Sequence, residues 1–200
     1  MPNEIDLARR LIAGDASAFD AFVDLFQTKV FQYSYLMCGH REDAEEVAQE
    51  TLMKVFQNFR QLREPEHVKS WVFRIAKNAC QMKRRKSVFA PVREISLDEL
   101  KPGWKVEGEE RRLEIADWSA LPDKLSIDSE MGTLLRTAIR ELPENYRSVL
   151  LLRDLEELST RDAAQILEVS EDVVKTRLHR ARLAVRQKLD EHMRKEGMAA

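Results

Sequence analysis

Apolar residues return every third or fourth position through the first 88 residues, the spacing of a buried stripe on α-helices. A short helix is predicted with Asp6 as its cap, running through Ile12 and stopping at Gly14. Ser17 is the expected cap of a second helix, which carries Phe19, Phe22, Val23, Phe26, Val30, Phe31 and Tyr35 inward and ends at Gly39. The third, Arg41 to Phe59, sets Ala44, Val47, Ala48, Thr51, Leu52, Val55, Phe56 and Phe59 on one side. Pro65 interrupts the chain. A fourth helix then runs from His67 to Arg85 with Val68, Trp71, Val72, Ile75, Ala76 and Ala79 inward. No segment alternates with the period of two that a strand requires.

The periodicity lapses between Val88 and Met131, where Pro91, Pro102, Gly103, Gly108 and Pro122 punctuate the chain. This reads as a linker with one short helical piece near Glu109 to Trp118. About 40 residues of extended chain reach about 130 Å. Trp104 and Trp118 are either docking aromatics or incidental ones. Helical spacing resumes with Leu134, Leu135, Ala138, Ile139 and Leu142, and Pro143 opens a further helix, where its missing donor costs nothing. A short helix, Arg161 to Leu167, is capped by Ser159 or Thr160. The turn Glu168-Val169-Ser170 follows, with Ser170 capping a long last helix. The fold class is therefore all-α, with two helical domains at 1–88 and 132–194, a flexible acidic linker at 89–131 and a tail at 195–200.

Composition changes this picture little; charge placement changes it a great deal. The 200 residues hold 33 Lys+Arg against 35 Asp+Glu, a net charge of −2. Yet Lys69 to Phe89 contains seven bases and no acid, and Lys175 to Lys188 six bases and no acid. Glu42 to Glu50 holds five acids and no base, and Glu94 to Glu130 eleven acids against five bases. Two basic stripes in separate halves suggest two contacts with one polyanion. The apolar fraction of 44% excludes wholesale disorder. The apolar runs are too short for membrane insertion. The N-terminus lacks a secretory leader's apolar core. Cys38 and Cys80 make no disulfide framework and fit a reducing cytoplasm. Cys38 lies close to His40, but no second ligand pair accompanies them, so neither metal nor cofactor is expected.

A short helix, tight turn and capped helix with a basic face is the layout of a helix-turn-helix. Ala163, Ala164 and Ile166 face inward from its first helix, Val169 fills the turn, and Val173, Val174 and Leu178 anchor the second. Lys175, Thr176, His179 and Arg180 are left outside with Arg177 beside them, suited to guanine edges and phosphates. The basic helix at 67–86 differs, mixing bases with Trp71, Phe73 and Asn78. Aromatics can stack on unpaired bases, although Trp71 also suits the core, and Asn reads base edges. The acids opening the third helix lack the pocket that acid–base catalysis needs. They read as a solvated helix start or as a docking face.

Asp43-Ala44-Glu45-Glu46-Val47-Ala48-Gln49-Glu50-Thr51-Leu52 resembles the D-A-E-D-x-x-Q-E-x-F signature of sigma region 2. Ser70-Trp71-Val72-Phe73-Arg74-Ile75-Ala76-Lys77-Asn78 is similar to its W-L-x-R-I-A-x-N segment. Leu142-Pro143-Glu144-Asn145-Tyr146-Arg147, Ala163-Ala164-Gln165-Ile166-Leu167 and Val174-Lys175-Thr176-Arg177-Leu178-His179-Arg180-Ala181-Arg182 resemble region 4. Together they resemble the extracytoplasmic-function (group 4) sigma factors of the sigma-70 family, over both helical halves but not the linker. The resemblance implies an alternative sigma factor with no catalytic activity of its own. It would bind core RNA polymerase (β′ clamp helices, β flap) and promoter DNA, under control of an anti-sigma factor. Asp43, Glu46, Gln49 and Glu50 would contact polymerase. Arg63, His67, Lys69, Arg74, Lys77, Asn78, Lys83 and Arg84 would serve the −10 element, Asn78 reading a flipped base. Lys175, Thr176, Arg177, His179 and Arg180 would read the −35 element as duplex. This chain has Asp172-Val173 where the family often has Gly-Thr, which sets its −35 contacts apart from those of relatives.

Two other classes remain open on the residues alone. A stand-alone helix-turn-helix regulator predicts a dimer and a palindromic site. A nucleic-acid enzyme would need a metal cluster, P-loop or nucleophile motif, and the sequence has none. The near-neutral charge predicts weak, unspecific DNA binding by the protein alone, read in a gel shift, with specificity appearing only with core polymerase. If the acidic linker shields the basic helices, replacing its acids with Gln or Asn raises that affinity.

Overall fold

The structure, a computed structural model, describes residues 3–86 and 130–197. Eight α-helices make up the described fold: α1 (Glu4–Ile12), α2 (Ala18–Cys38), α3 (Arg41–Asn58), α4 (Val68–Lys86), α5 (Glu130–Glu141), α6 (Glu144–Leu150), α7 (Thr160–Leu167) and α8 (Glu171–Gly197). Short 3₁₀ turns at Phe59–Gln61 and Pro65–His67 join α3 to α4, and a π turn at Leu151–Leu155 extends α6. Most of the predicted linker, including Trp104, Trp118 and the helical piece at 109–118, lies outside the described residues.

The N-terminal half is built around α2, which packs against α1, α3 and α4. Phe22, Phe26, Val30 and Tyr33 are fully buried on it. Each such side chain contributes about 1.5–3 kcal/mol by leaving water. Phe31 and Tyr35, expected inward, are only half-buried and stack on each other at 6.1 Å, while Tyr33, Leu36 and Met37 fill the core. Phe73 is also core, edge-on to Tyr33 at 5.4 Å, which removes it from the aromatics able to stack on a base. Phe56, expected inward, is 60% exposed.

Helix ends follow local chemistry, with two corrections. The cap of α1 is Asn3, whose Oδ1 accepts the Asp6 N–H at 2.8 Å; Asp6 already lies within the helix. Ser17 precedes α2 but caps nothing: its backbone is already helical at φ −67°, ψ −17°, and the Ala18 and Phe19 N–H groups go to the carbonyls of Asp15 and Ala16. Gly39 ends α2 in the left-handed region at φ 85°, and its N–H returns to Tyr35 O at 2.9 Å.

Buried apolar residues of the two halves belong to one cluster, and a seam of polar contacts runs beside it. Arg147 of α6 donates through Nη1 to Met37 O at 3.0 Å and Leu36 O at 3.4 Å. Its Nη2 donates to Leu142 O at 2.8 Å and to Arg140 O. One guanidinium thus serves the orphan carbonyls ending both α2 and α5. Burial disfavours its charge and brings its pKa down to about 10, so it stays cationic at neutral pH. Arg140 donates to Gly39 O at 2.5 Å and lies 5.6 Å from the Tyr35 ring centre. A Cβ at Gly39 would fall 2.9 Å from Arg140 Nη2, so this position needs glycine for space as well as for φ. Arg84 of α4 pairs with Glu144 of α6, and α7 packs on α4.

Glu156, just after the π turn, is 2% exposed. Burial raises its carboxyl to about 7, with Lys69 and Lys29 opposing that and Glu4 and Glu157 adding to it. The folded state therefore binds a proton that the unfolded chain has already released above its ordinary value near 4.5. Stability is fullest below that value and is lost as pH rises through about 7. Glu156→Gln should remove this dependence, a difference on the order of 3 kcal/mol between acidic and alkaline conditions. Urea midpoints at both ends of that window check it: wild type falls and the variant stays level.

Candidate nucleic-acid interface

The α7–turn–α8 unit is set by two caps and one left-handed residue. Ser159 Oγ accepts the Asp162 N–H at 3.0 Å and starts α7. Glu168 at φ 57° closes it, and the Val169 N–H reaches Ala164 O at 3.1 Å. Ser170 Oγ then accepts the Val173 N–H at 3.3 Å to start α8. Ala163, Ala164, Ile166, Val174 and Leu178 are buried between the helices. Arg182 locks α8 onto the π turn by a two-pronged bond to Asp154, at 2.8 and 2.6 Å. Lys175, Thr176, His179 and Arg180 are exposed as one patch, with Lys175 Nζ 3.2 Å from Asp172 Oδ1. Arg177 is half-buried and turns toward the N-terminal half, where a cavity of about 50 Å³ brings it together with Lys77, Gln81 and Glu144.

On the other half, the loop before α4 and the start of α4 enclose an open groove of about 250 Å³. Arg63, Glu64, His67, Trp71 and Arg74 line it, and Gln165 of α7 completes the wall. Trp71 is half-buried, held edge-on by Phe59 at 5.7 Å. Arg63, His67 and Arg74 are exposed, with His67 Nε2 3.1 Å from Glu64 Oε2. Cations beside an aromatic wall make a site suited to an unpaired nucleotide. Asn78 is exposed one turn further along α4, outside the residues lining the groove.

The remaining predicted cations of α4 are engaged elsewhere. Lys69 is half-buried, and Lys77 is only 8% exposed beneath the second half. Lys83 Nζ lies 2.5 Å from Glu46 Oε2 and 3.2 Å from Asp43 Oδ1; the two acids raise its pKa, Glu46 the more. Arg84 is held by Glu144. The acids of α3 are therefore divided. Asp43 and Glu46 both meet Lys83, Glu46 from an exposed position, while Gln49 is exposed and Glu50 pairs with Lys54 at 2.6 Å. Beside them Met53 and Phe56 stand 61% and 60% exposed on successive turns of the same face. Among the described residues, no group of three His, Cys, Asp or Glu side chains is placed to hold a metal ion, and no helix is long and apolar enough to cross a membrane.

Comparison with known proteins assigns both halves. Residues 22–88 match the Sigma-70 region 2 family and residues 133–185 match Sigma-70, region 4. The chain is 31% identical over 184 residues to the ECF RNA polymerase sigma factor SigW of Bacillus subtilis (strain 168), across 88% of this chain and 91% of that one. This chain belongs to the ECF sigma factors. It is also 27% identical over 195 residues to the ECF RNA polymerase sigma-E factor of Escherichia coli (strain K12), covering 94% and 95% of the two. The fold resembles that of CnrH, solved in complex with the cytosolic domain of CnrY: the TM-score is 0.63 at 18% identity, over 94% of this chain and 97% of that one. It also resembles the sigma factor RpoE, solved with the anti-sigma factor NepR from Bartonella quintana, at TM-score 0.58 and 19% identity over 86% and 96%.

In this sigma factor, sequence reasoning passed over three residues of these surfaces. Phe56 was hidden because an apolar residue at helical spacing reads as core, and Met53 carries no pattern of its own. Gln165 was missed because its neighbours in the groove are distant in sequence. The seam itself left one sequence trace, the Arg147 closing the Leu142–Arg147 motif. Arg147→Ala should cost about 1–3 kcal/mol of stability and open the seam. Acylation of lysines read by mass spectrometry then shows Lys77 becoming several-fold more reactive, while Lys175, already exposed, does not change.

Proposed function

We propose that this ECF sigma factor divides promoter work between its halves, with residues 1–88 binding polymerase and opening DNA and residues 132–194 reading duplex. The carrying observation is the pairing of an aromatic, cation-lined groove on one half with a capped, exposed cationic helix start on the other. Arg63, His67 and Arg74 around Trp71 accept an extruded base of the −10 element, and Asn78 supplies donor and acceptor for a base edge. Lys175, Thr176, His179 and Arg180 enter the major groove at the −35 element, with Arg177 joining once the seam opens. Lys69, Lys77, Lys83 and Arg84 hold phosphates only after leaving their present surroundings.

Polymerase binds through the exposed face of α3. Asp43, Glu46, Gln49 and Glu50 provide the charge for the β′ clamp helices, and Met53 and Phe56 an apolar anchor between them. A charged rim around exposed apolar side chains is the usual make-up of a protein-binding patch. The second half meets the β flap. An anti-sigma factor covering these surfaces is supported by the complexes in which CnrH and RpoE were solved.

Run-off transcription on host DNA fragments, with core polymerase present and the factor added or withheld, tests this reading. New discrete start sites are expected, lost in Asn78→Ala and in Arg177→Ala. The double variant Met53→Ala, Phe56→Ala should weaken binding to core at least tenfold. Because Phe56 also packs edge-on against Phe19 at 4.6 Å, the single variant Met53→Ala, which removes no ring contact, should weaken binding several-fold with little change in melting temperature. Sequence-specific binding by a dimer without polymerase would favour the stand-alone regulator.

A further inference from the structure

The thiols of Cys38 and Cys80 are unbridged, yet they face each other across α2 and α4 with their sulfurs 3.8 Å apart. The promoter-binding surfaces described above leave them unused. Their surroundings are unequal. Cys80 is fully buried, with Ser34 beside it, whereas Cys38, the last residue of α2, is half-exposed. A helix C-terminus ordinarily disfavours a thiolate, but here Arg147 and Arg140 hold the carbonyls of Leu36, Met37 and Gly39. Arg84 and Lys83 add positive charge against the nearby Asp43. When Cys38 ionises, the Cys80 thiol donates to it, and this holds Cys38 below the usual thiol range while Cys80 is pushed far above it.

We propose that Cys38 and Cys80 form a peroxide-oxidisable dithiol, with Cys38 the attacking sulfur and Cys80 the resolving one. The Cys38 thiolate attacks one oxygen of hydrogen peroxide. The O–O bond breaks, hydroxide leaves and takes up a proton, and Cys38 becomes a sulfenic acid. The Cys80 sulfur then displaces that hydroxyl: its proton and the hydroxyl leave as water, and a Cys38–Cys80 disulfide remains. Two electrons pass from the thiol pair to the peroxide, and a thiol reductant reverses the change. The sulfurs must close by about 1.8 Å to reach bonding distance. Cys38 is the last residue of α2, so the closure falls at the end of that helix, not within it.

The test treats the full-length reduced protein with a few equivalents of hydrogen peroxide, followed by intact mass and peptide mapping without reductant. The expected product is a monomer lighter by two hydrogens, carrying a Cys38–Cys80 linked peptide and returning to the starting mass with dithiothreitol. Cys80→Ser should instead accumulate a sulfenic acid at Cys38 that dimedone traps, and Cys38→Ser should leave Cys80 reduced at the same dose. Disulfide-linked dimers through Cys38, oxidation starting at Cys80, or two intact thiols at doses that fully oxidise free glutathione would each overturn the proposal.

Discussion

One guanidinium ties together the helix ends that meet between the two halves. Arg147 stands where two helices end, and helix ends are where carbonyls lack partners inside the helix. Burying those ends against each other without a donor would leave several acceptors out of reach of water, at about 1–3 kcal/mol each. A planar side chain with a fixed fork of donors reaches α2 and α5 together, which a lysine's single ammonium does less well. Arg140 repeats the theme at Gly39. The seam therefore joins the halves through main-chain acceptors as well as through side-chain pairs such as Arg84–Glu144.

The junction is mixed: buried apolar residues of both halves belong to one cluster, while guanidinium groups meet main-chain acceptors beside it. Its apolar part would lose its stabilisation on exposure, whereas carbonyls and guanidinium exchange partners with water at small net difference. The same contacts bring Lys77 and Arg177, two of the cations proposed to meet DNA, into one cavity. Like charges so close repel, and Glu144 beside them offsets part of that.

Much of this was legible in the sequence, for definable reasons. Periodicity found the helices because their buried stripes are regular, and it located the α7–turn–α8 unit because Ser159 and Ser170 are strong caps in the expected places. It misjudged Ser17 because the chain already turns helically there, so main-chain carbonyls meet the N–H groups a cap would have served. Phe56 and Phe73 exchanged expected environments, because helical spacing alone cannot say which of two adjacent apolar faces meets the core. Charge runs disclosed the basic stripes but not their present engagement: Lys83 answers to acids on α3 and Arg84 to Glu144, partners 37 and 60 residues away. Long-range pairing of this kind leaves no local pattern.

The π turn after α6 has its own consequence. It holds one more residue per turn than the helix leading into it. Removing a single residue from Leu151–Leu155 would restore a regular helix, and the chain would leave it rotated by about 100°. Asp154 would no longer meet Arg182, and Glu156 would swing out of its buried position. The direction in which α8 points is thus encoded as a count of residues, and an insertion or deletion here would re-aim it more than most side-chain substitutions on α8.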